Sequence, residues 1–141
     1  MIETIIGKEF PTKVIPLIEA AKHSIKIIVF DWRWYPNDPA NPVQLFSQAI
    51  IRAQRRGVRI QIIANDDSIL AILKQQGCET KRPITKTLIH AKIILIDGEI
   101  LVIGSHNFTQ NAFTMNQEIS VIISEVESLE RIIKYFDVFY D

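Results

Sequence analysis

The sequence predicts the α/β class: a mixed β-sheet flanked by helices on both faces. Three observations predict it. Amphipathic helical segments alternate with short, Ile- and Val-rich buried segments through the first half of the chain. Two strand-like segments then meet across Asp97-Gly98-Glu99, a hairpin signal that an all-parallel sheet would lack. The chain has 141 residues and 48% hydrophobic content, enough for one domain over 1–141 with a real core.

Each element has its own local reason. Residues 12–23 read as a helix, with Val14, Ile15, Leu17, Ile18 and Ala21 on one apolar face. Residues 24–30 (SIKIIVF) read as a buried strand rich in β-branched side chains. A polar and aromatic loop follows over 31–41, with Trp32, Arg33, Trp34 and Tyr35. Asn41 caps the next helix and Pro42 takes its first position, where a missing N–H costs nothing. That helix runs to about Arg56 and stops at Gly57. Residues 58–64 (VRIQIIA) form a second strand, and 65–67 turn into a short helix ending near Gly77. A less regular basic stretch carries Lys81, Arg82 and Lys86. Residues 89–96 and 100–103 are the two hairpin strands, 108–116 a loop or short helix, and 118–124 a further strand. An amphipathic helix over 125–140 closes the chain.

Composition narrows the function classes. Formal net charge is zero, which argues against a polyanion binder working by overall charge and leaves room for a local basic patch. Cys78 is the only cysteine, so no disulfide framework and no cysteine metal cluster is expected. The N-terminus lacks a basic region followed by an apolar core, and no apolar run is long enough to span a bilayer. A cytoplasmic protein without stable membrane association is the expectation.

Six residues carry the chemistry. His90, Lys92, Asp97, Gly104, Ser105 and Asn107 read H-x-K-x(4)-D-x(6)-G-S-x-N. A two-residue turn at Gly98-Glu99 would pair Lys92 with Ser105 and His90 with Asn107 on one sheet face. A turn at Asp97-Gly98 would instead set His90 opposite Ser105. Either way one hairpin gathers imidazole, ammonium, hydroxyl and carboxamide. A lysine inside the apolar run IHAKIILI is costly to bury without an anionic partner, and a phosphate would be one. Asp97-Gly98 is also an ordinary turn signal, so a structural role for Asp97 weighs equally with a chemical one. Gly104 suggests a close backbone approach.

This spacing resembles the HKD signature of the phospholipase D superfamily. With one copy in a short chain, it is most similar to that family's small dimeric nucleases. The helix ending in Ala53, Arg56, Gly57 and Val58, with the strands on either side, looks like the family's N-terminal half. The resemblance implies a half-unit of that fold and a metal-independent phosphodiesterase needing no cofactor. It implies that His90 is the nucleophile, forming a phosphohistidine. Lys92 and Asn107 would hold the non-bridging oxygens, and Ser105 would donate a further hydrogen bond. Asp97 would support the local network. Glu118 stands where the family's nucleases carry a glutamate that orients the reactive histidine.

In-line displacement needs an acid opposite the nucleophile, and one imidazole cannot serve both sides. A homodimer with a shared site is therefore expected. His106 should point to the sheet face opposite Ser105 and Asn107, and His23 reads as a surface residue at a helix end. These scattered histidines make no recognisable metal site. A nucleic-acid substrate, DNA or RNA, is favoured. Arg33, Lys81, Arg82 and Lys86, with Arg55, Arg56 and Arg59, are candidate phosphate contacts. Trp32, Trp34 and Tyr35 follow a strand's carboxyl end and would stack on bases or pack a dimer interface. A phospholipase or phosphatidyl transferase, and a non-catalytic nucleic-acid-binding module, are the alternatives.

Overall fold

A computed structural model describes residues 1–83, 85–124 and 126–141 and contains one seven-stranded mixed sheet with helices on both faces. In chain order the elements are β1 (Ile2–Ile6), α1 (Glu9–Glu19), β2 (Ser24–Val29), α2 (Pro42–Arg55), β3 (Arg59–Ala64) and α3 (Asp67–Gln75). Then follow β4 (Glu79–Lys81), β5 (Ile93–Ile96), β6 (Ile100–Gly104), α4 (Gln110–Thr114), β7 (Ile119–Ile123) and α5 (Val126–Tyr140). The strands lie in the order β1-β7-β6-β5-β2-β3-β4. β2, β3 and β4 are parallel, and β5, β6, β7 and β1 continue the sheet antiparallel.

β2 and β3 are joined through α2; one face of each is wholly apolar, and the face toward α5 is polar at Ser24, Lys26, Arg59 and Gln61 and apolar at Ile28 and Ile63. Asn41 caps α2 by accepting from the Val43 N–H at 2.9 Å, with Pro42 opening the helix. Asp66 caps α3 in the same way through Ser68, at 2.8 Å. On one face, Phe10, Val14 and Ile18 of α1 pack with Phe46 and Ile50 of α2 and Phe113 of α4 against Ile27, Ile62 and Ile94. On the other, α5 places Leu129 and Phe136 over Ile28, Ile63, Ile93, Leu95 and Leu101. Residues alternate between faces along a strand, so Ile6, Ile119 and Val121 share the α5 side, opposite Ile5, Ser120 and Ile122. Ile6 and Ile119 remain exposed there.

The structure differs from the sequence reading in several places. β1 is an additional edge strand paired with β7, and β4 lies in the stretch expected to be irregular. α1 begins at Glu9 and ends at Glu19, so the expected helix is shifted toward the N-terminus. β5 begins at Ile93, leaving 89–92 outside the regular ladder. Glu125, the expected first residue of the last helix, lies outside the described residues. Among the described residues, no helix is long and apolar enough to cross a membrane.

Candidate active site

The chain leaves the sheet at one end through the carboxyl ends of β2, β3 and β6 and enters it through the amino ends of β5 and β7. All the motif residues except Asp97 lie at this end, the usual location of ligand sites in open α/β sheets. Ile89 is buried against the α5 side, and its carbonyl accepts from Asn65 Nδ2 at 3.2 Å, so the segment before His90 is tied to the end of β3. His90 is then left exposed. Its ring lies 4.9 Å from that of Phe30, at the end of β2.

Lys92 Nζ sits 2.9 Å from His90 Nδ1 and 3.4 Å from Nε2. Burial lowers the Lys92 ammonium below its ordinary value, while the Glu118 carboxylate pulls it upward. The ammonium is therefore partly desolvated, with the Glu118 carboxylate as its counter-charge. An anion bound beside it would reverse that lowering.

Ser105 Oγ donates to Glu118 Oε1 at 2.5 Å and accepts from the Ile119 N–H at 3.0 Å. Asn116 Nδ2 donates to Glu118 Oε2 at 3.0 Å. Glu118 is thus held by Ser105 and Asn116, whereas the family resemblance implies a bond to the histidine. Asn107 Oδ1 accepts from the Asp31 N–H at 3.1 Å, leaving its Nδ2 group as the donor for a ligand. The neighbouring Phe108 bonds the same loop. It gives its N–H to the Asp31 carbonyl, and its own carbonyl accepts from the Arg33 N–H, both at 3.0 Å.

The hairpin register is offset by one from both expected versions. Ile96 pairs with Ile100 and Ile93 with Ile103, so the ladder continues to Lys92 opposite Gly104. The reason lies in the turn. Asp97 and Gly98 both take positive φ, 55° and 65°, and the Glu99 N–H returns to Ile96 O at 3.0 Å. Glu99 is then an extra residue before pairing resumes. His90, Ser105 and Asn107 lie beyond the regular ladder at the same end of the sheet, where parity no longer dictates direction. Gly104 is required by close approach: a Cβ there would collide with Ser120 Oγ and lie 2.5 Å from the Ile119 carbonyl.

Asp97 is not part of this cluster. It lies beyond the far end of β5, five residues from Lys92, or about 16 Å along an extended strand. Its carboxylate accepts from the N–H groups of Lys22 (3.0 Å), His23 (2.6 Å) and Ser24 (3.0 Å). Burial alone would raise its pKa, but these backbone donors together bring it below the ordinary value. Asp97 locks the hairpin to the turn between α1 and β2.

The remaining candidates divide. Trp32 cannot meet a substrate: it is buried, its Nε1 donates to Ser47 Oγ at 2.9 Å, and Phe108 meets it edge-on. Lys81 is also committed elsewhere, donating to the carbonyls of Tyr140 and Asp141 and so holding the end of α5. Arg56 donates to the carbonyls of Ile18 and Ala21, and Arg59 pairs with Glu79 at 2.7 Å. Arg82 pairs with Asp67 at 2.9 Å and, with Lys86, borders an open hollow on the loop leading to His90. Arg33 and Trp34 line a larger cleft beside Asn107. His23 is exposed, as expected.

His106 carries more structure than its sequence context suggests. It is buried, on the α1 side, with its ring 4.6 Å from that of Phe10. Nε2 lies 2.8 Å from the Gly7 carbonyl and must donate to it, so Nδ1, at 2.7 Å from Ser120 Oγ, accepts. Burial holds its pKa below the ordinary value despite the Gly7 carbonyl and Glu118, which act in the opposite sense. It pins the end of β6 between Ser105 and Asn107. Among the described residues, no three His, Cys, Asp or Glu side chains converge as a metal site.

Comparison with known proteins agrees with this architecture. The family profile described as "Cardiolipin synthase, PLD-like domain" matches residues 14–140. A mitochondrial cardiolipin hydrolase of Chlamydomonas reinhardtii is 29% identical over 101 residues, covering 67% of this chain and 45% of that protein. The chain spans about half or less of the length of the first such curated relatives. Among solved structures, the phospholipase D family member Nuc from Salmonella typhimurium superposes with a TM-score of 0.82 at 22% identity, over 99% of this chain and 95% of that one. NucT from Helicobacter pylori gives 0.81 at 21%, over 99% and 94%. These two likenesses establish the fold.

Proposed function

The chain belongs to the phospholipase D-like family, and we propose that it is a metal-independent phosphodiesterase whose substrate is nucleic acid. The observation that carries the proposal is the His90–Lys92 contact at 2.9 Å, beside the Ser105–Glu118 pair at the open end of the sheet. The exposed imidazole there is engaged by Lys92, and among the described residues no carboxylate lies within ion-pair distance of that partly desolvated ammonium.

The reaction follows from these groups. A diester oxygen draws the Lys92 ammonium away from His90, releasing the ring's lone pair. An imidazole nitrogen attacks phosphorus, a P–N bond forms and the P–O bond to the leaving group breaks. Lys92 and the Asn107 amide stabilise the charge on the non-bridging oxygens. The leaving oxygen takes a proton from the partner's His90, across a twofold axis. That imidazole, now neutral, takes a proton from water as the water attacks phosphorus. The P–N bond breaks and His90 is restored.

These 141 residues carry a single motif, and the reading takes the acid from a second copy. A surface for that copy borders the site. Ile6 and Ile119 pair directly and are 51% and 61% exposed, and Ile119 follows Glu118 in sequence. Met115 is 74% exposed on the preceding loop. An uncovered apolar stripe of this kind favours an isologous homodimer.

A phosphatidyl substrate is the second reading, favoured by the name of the Chlamydomonas relative. The experiment is hydrolysis of single-stranded DNA, duplex DNA, RNA and phosphatidylcholine vesicles in EDTA, with His90→Ala as the control. Nucleic-acid turnover that survives EDTA and vanishes in the variant is expected. Turnover of lipid alone, or abolition by EDTA, would overturn the proposal.

A further inference from the structure

Beside Asn107 lies an open cleft of about 670 Å³ that the chemistry of phosphate transfer does not use. Asp31, Arg33, Trp34 and Tyr35 form one wall and Gln110 and Asn111 the other. Its position is set by the site. The Asp31 N–H is the group held by Asn107 Oδ1, so the cleft begins where the motif asparagine ends. A chain bound with one phosphate at His90 and Lys92 would lead its next unit into this space.

The walls are held in place. The Tyr35 N–H donates to Gln44 Oε1 at 2.9 Å, and the Tyr35 hydroxyl accepts from the Gln110 N–H at 2.9 Å, bridging the cleft's two sides. Trp34 is half-buried and backed by the core. Arg33 Nε pairs with Asp31 Oδ1 at 2.9 Å, so the one cation of the lining is matched by a carboxylate.

Those features select a ligand class. A phosphate would call for unbalanced positive charge, and the Asp31–Arg33 pair cancels it. An acyl chain would call for apolar walls, and this lining is carboxylate, guanidinium and carboxamide around one indole. A flat ring with donors and acceptors along its edge suits both parts, the indole by stacking and the polar rim by hydrogen bonds. A base within a duplex has both faces covered by its neighbours, so the cleft takes an unpaired one.

We propose that this cleft is a nucleobase subsite flanking the scissile phosphate, with Trp34 as its stacking platform, and so selects single-stranded nucleic acid. The proposal rests on the nucleic-acid reading of the site.

The molecule carries its own reporter. It has two tryptophans, and Trp32 is 1% exposed and bonded to Ser47, so ligand-dependent fluorescence comes from Trp34. The full chain bearing His90→Ala, which cannot turn over substrate, is titrated with three probes: single-stranded oligothymidylate, an abasic oligomer of equal length, and a duplex. Quenching by the base-bearing single strand, and binding about tenfold tighter than the abasic strand, are expected from the energy of one stacked base. Trp34→Ala should erase that difference between the two strands, and Trp34→Phe should restore most of it. Circular dichroism of each variant checks that it is folded.

Equal affinity for abasic and base-bearing strands would overturn the subsite while leaving a nucleic-acid phosphodiesterase intact. Duplex bound as tightly as single strand would overturn the selectivity. A Trp34→Ala chain that loses its dimer, with the strand preference unchanged, would reassign Trp34 to the subunit contact. No binding of any nucleic acid, together with lipid turnover in the substrate panel, would end both the subsite and the reading beneath it.

Discussion

Replacing Asp97 by alanine removes an acceptor shared by three consecutive backbone N–H groups, those of Lys22, His23 and Ser24. A hydrogen bond to a charged acceptor contributes roughly 1.5–3 kcal/mol. The Lys22 and His23 amides lie at an exposed end and can regain water, so only the part-buried Ser24 amide is counted in full. Asp97 also holds φ at 55°, a left-handed conformation that costs alanine about 1–2 kcal/mol. The expected loss is therefore about 3–4 kcal/mol, a large fraction of the ~5–15 kcal/mol that holds a domain together. An asparagine side chain tolerates the same φ and keeps one acceptor oxygen, so Asp97→Asn should lose about half as much. Urea unfolding followed by tryptophan fluorescence measures both.

The pH dependence has a definite sign. The folded carboxyl lies below its ordinary 3.8, so the stabilisation is complete above that value and is lost as pH falls through the folded value. Asp97→Asn should lack that component. Folded Asp97→Ala should still turn over substrate, because Asp97 is remote from His90. An Asp97→Ala chain as stable as wild type would refute the structural role, and one that is fully folded yet inactive would return Asp97 to the chemistry.

Three further outcomes follow from the same geometry. Gly104→Ala forces a Cβ onto Ser120 and the Ile119 backbone, so it should cost roughly 1–3 kcal/mol by thermal unfolding and disturb Ser105; an unperturbed variant would contradict the contact. His106 is buried neutral with a lowered pKa, so wild type should lose stability as pH falls below about 6.5 toward the folded value, and His106→Gln should be flatter below about pH 6.5. Melting temperature against pH reads this, and parallel curves would reject it. Specific activity should fall on dilution as the dimer dissociates, and should fall at higher concentrations for Ile119→Glu; sedimentation velocity on the same samples must show the matching dissociation.

Much of the fold could be read because its signals are local. Asn41-Pro42 announced α2, and the Ile-rich runs of β2 and β3 announced buried strands. β1 and β4 escape the sequence because each is short and one-sided, and pairing with β7 or β3 is a tertiary fact that no local pattern carries. The hairpin itself was legible, but its register depended on Glu99 being left out of the ladder, a one-residue matter that turn propensity did not resolve. His90, Lys92, Ser105 and Asn107 nonetheless lie at one end of the sheet, where the strand ends and not the pairing register place them. Trp32 and Trp34 are two apart and look alike in sequence. Only the packing of Phe46 and Phe108 reveals that one is core and the other lines a cleft. His106 looked idle because its partners, Gly7 and Ser120, come from chain segments distant from it in sequence.

On the proposed mechanism His90 becomes covalently bonded to phosphorus during turnover. This is tested by mixing enzyme with a single-stranded oligonucleotide in EDTA, quenching within the first turnover under alkaline denaturing conditions that preserve phosphohistidine, and mapping the peptides by mass spectrometry. A nucleotidyl or phosphoryl adduct on His90, absent from His90→Ala, is expected. Turnover with no adduct at any time, or an adduct on another residue, would contradict that mechanism.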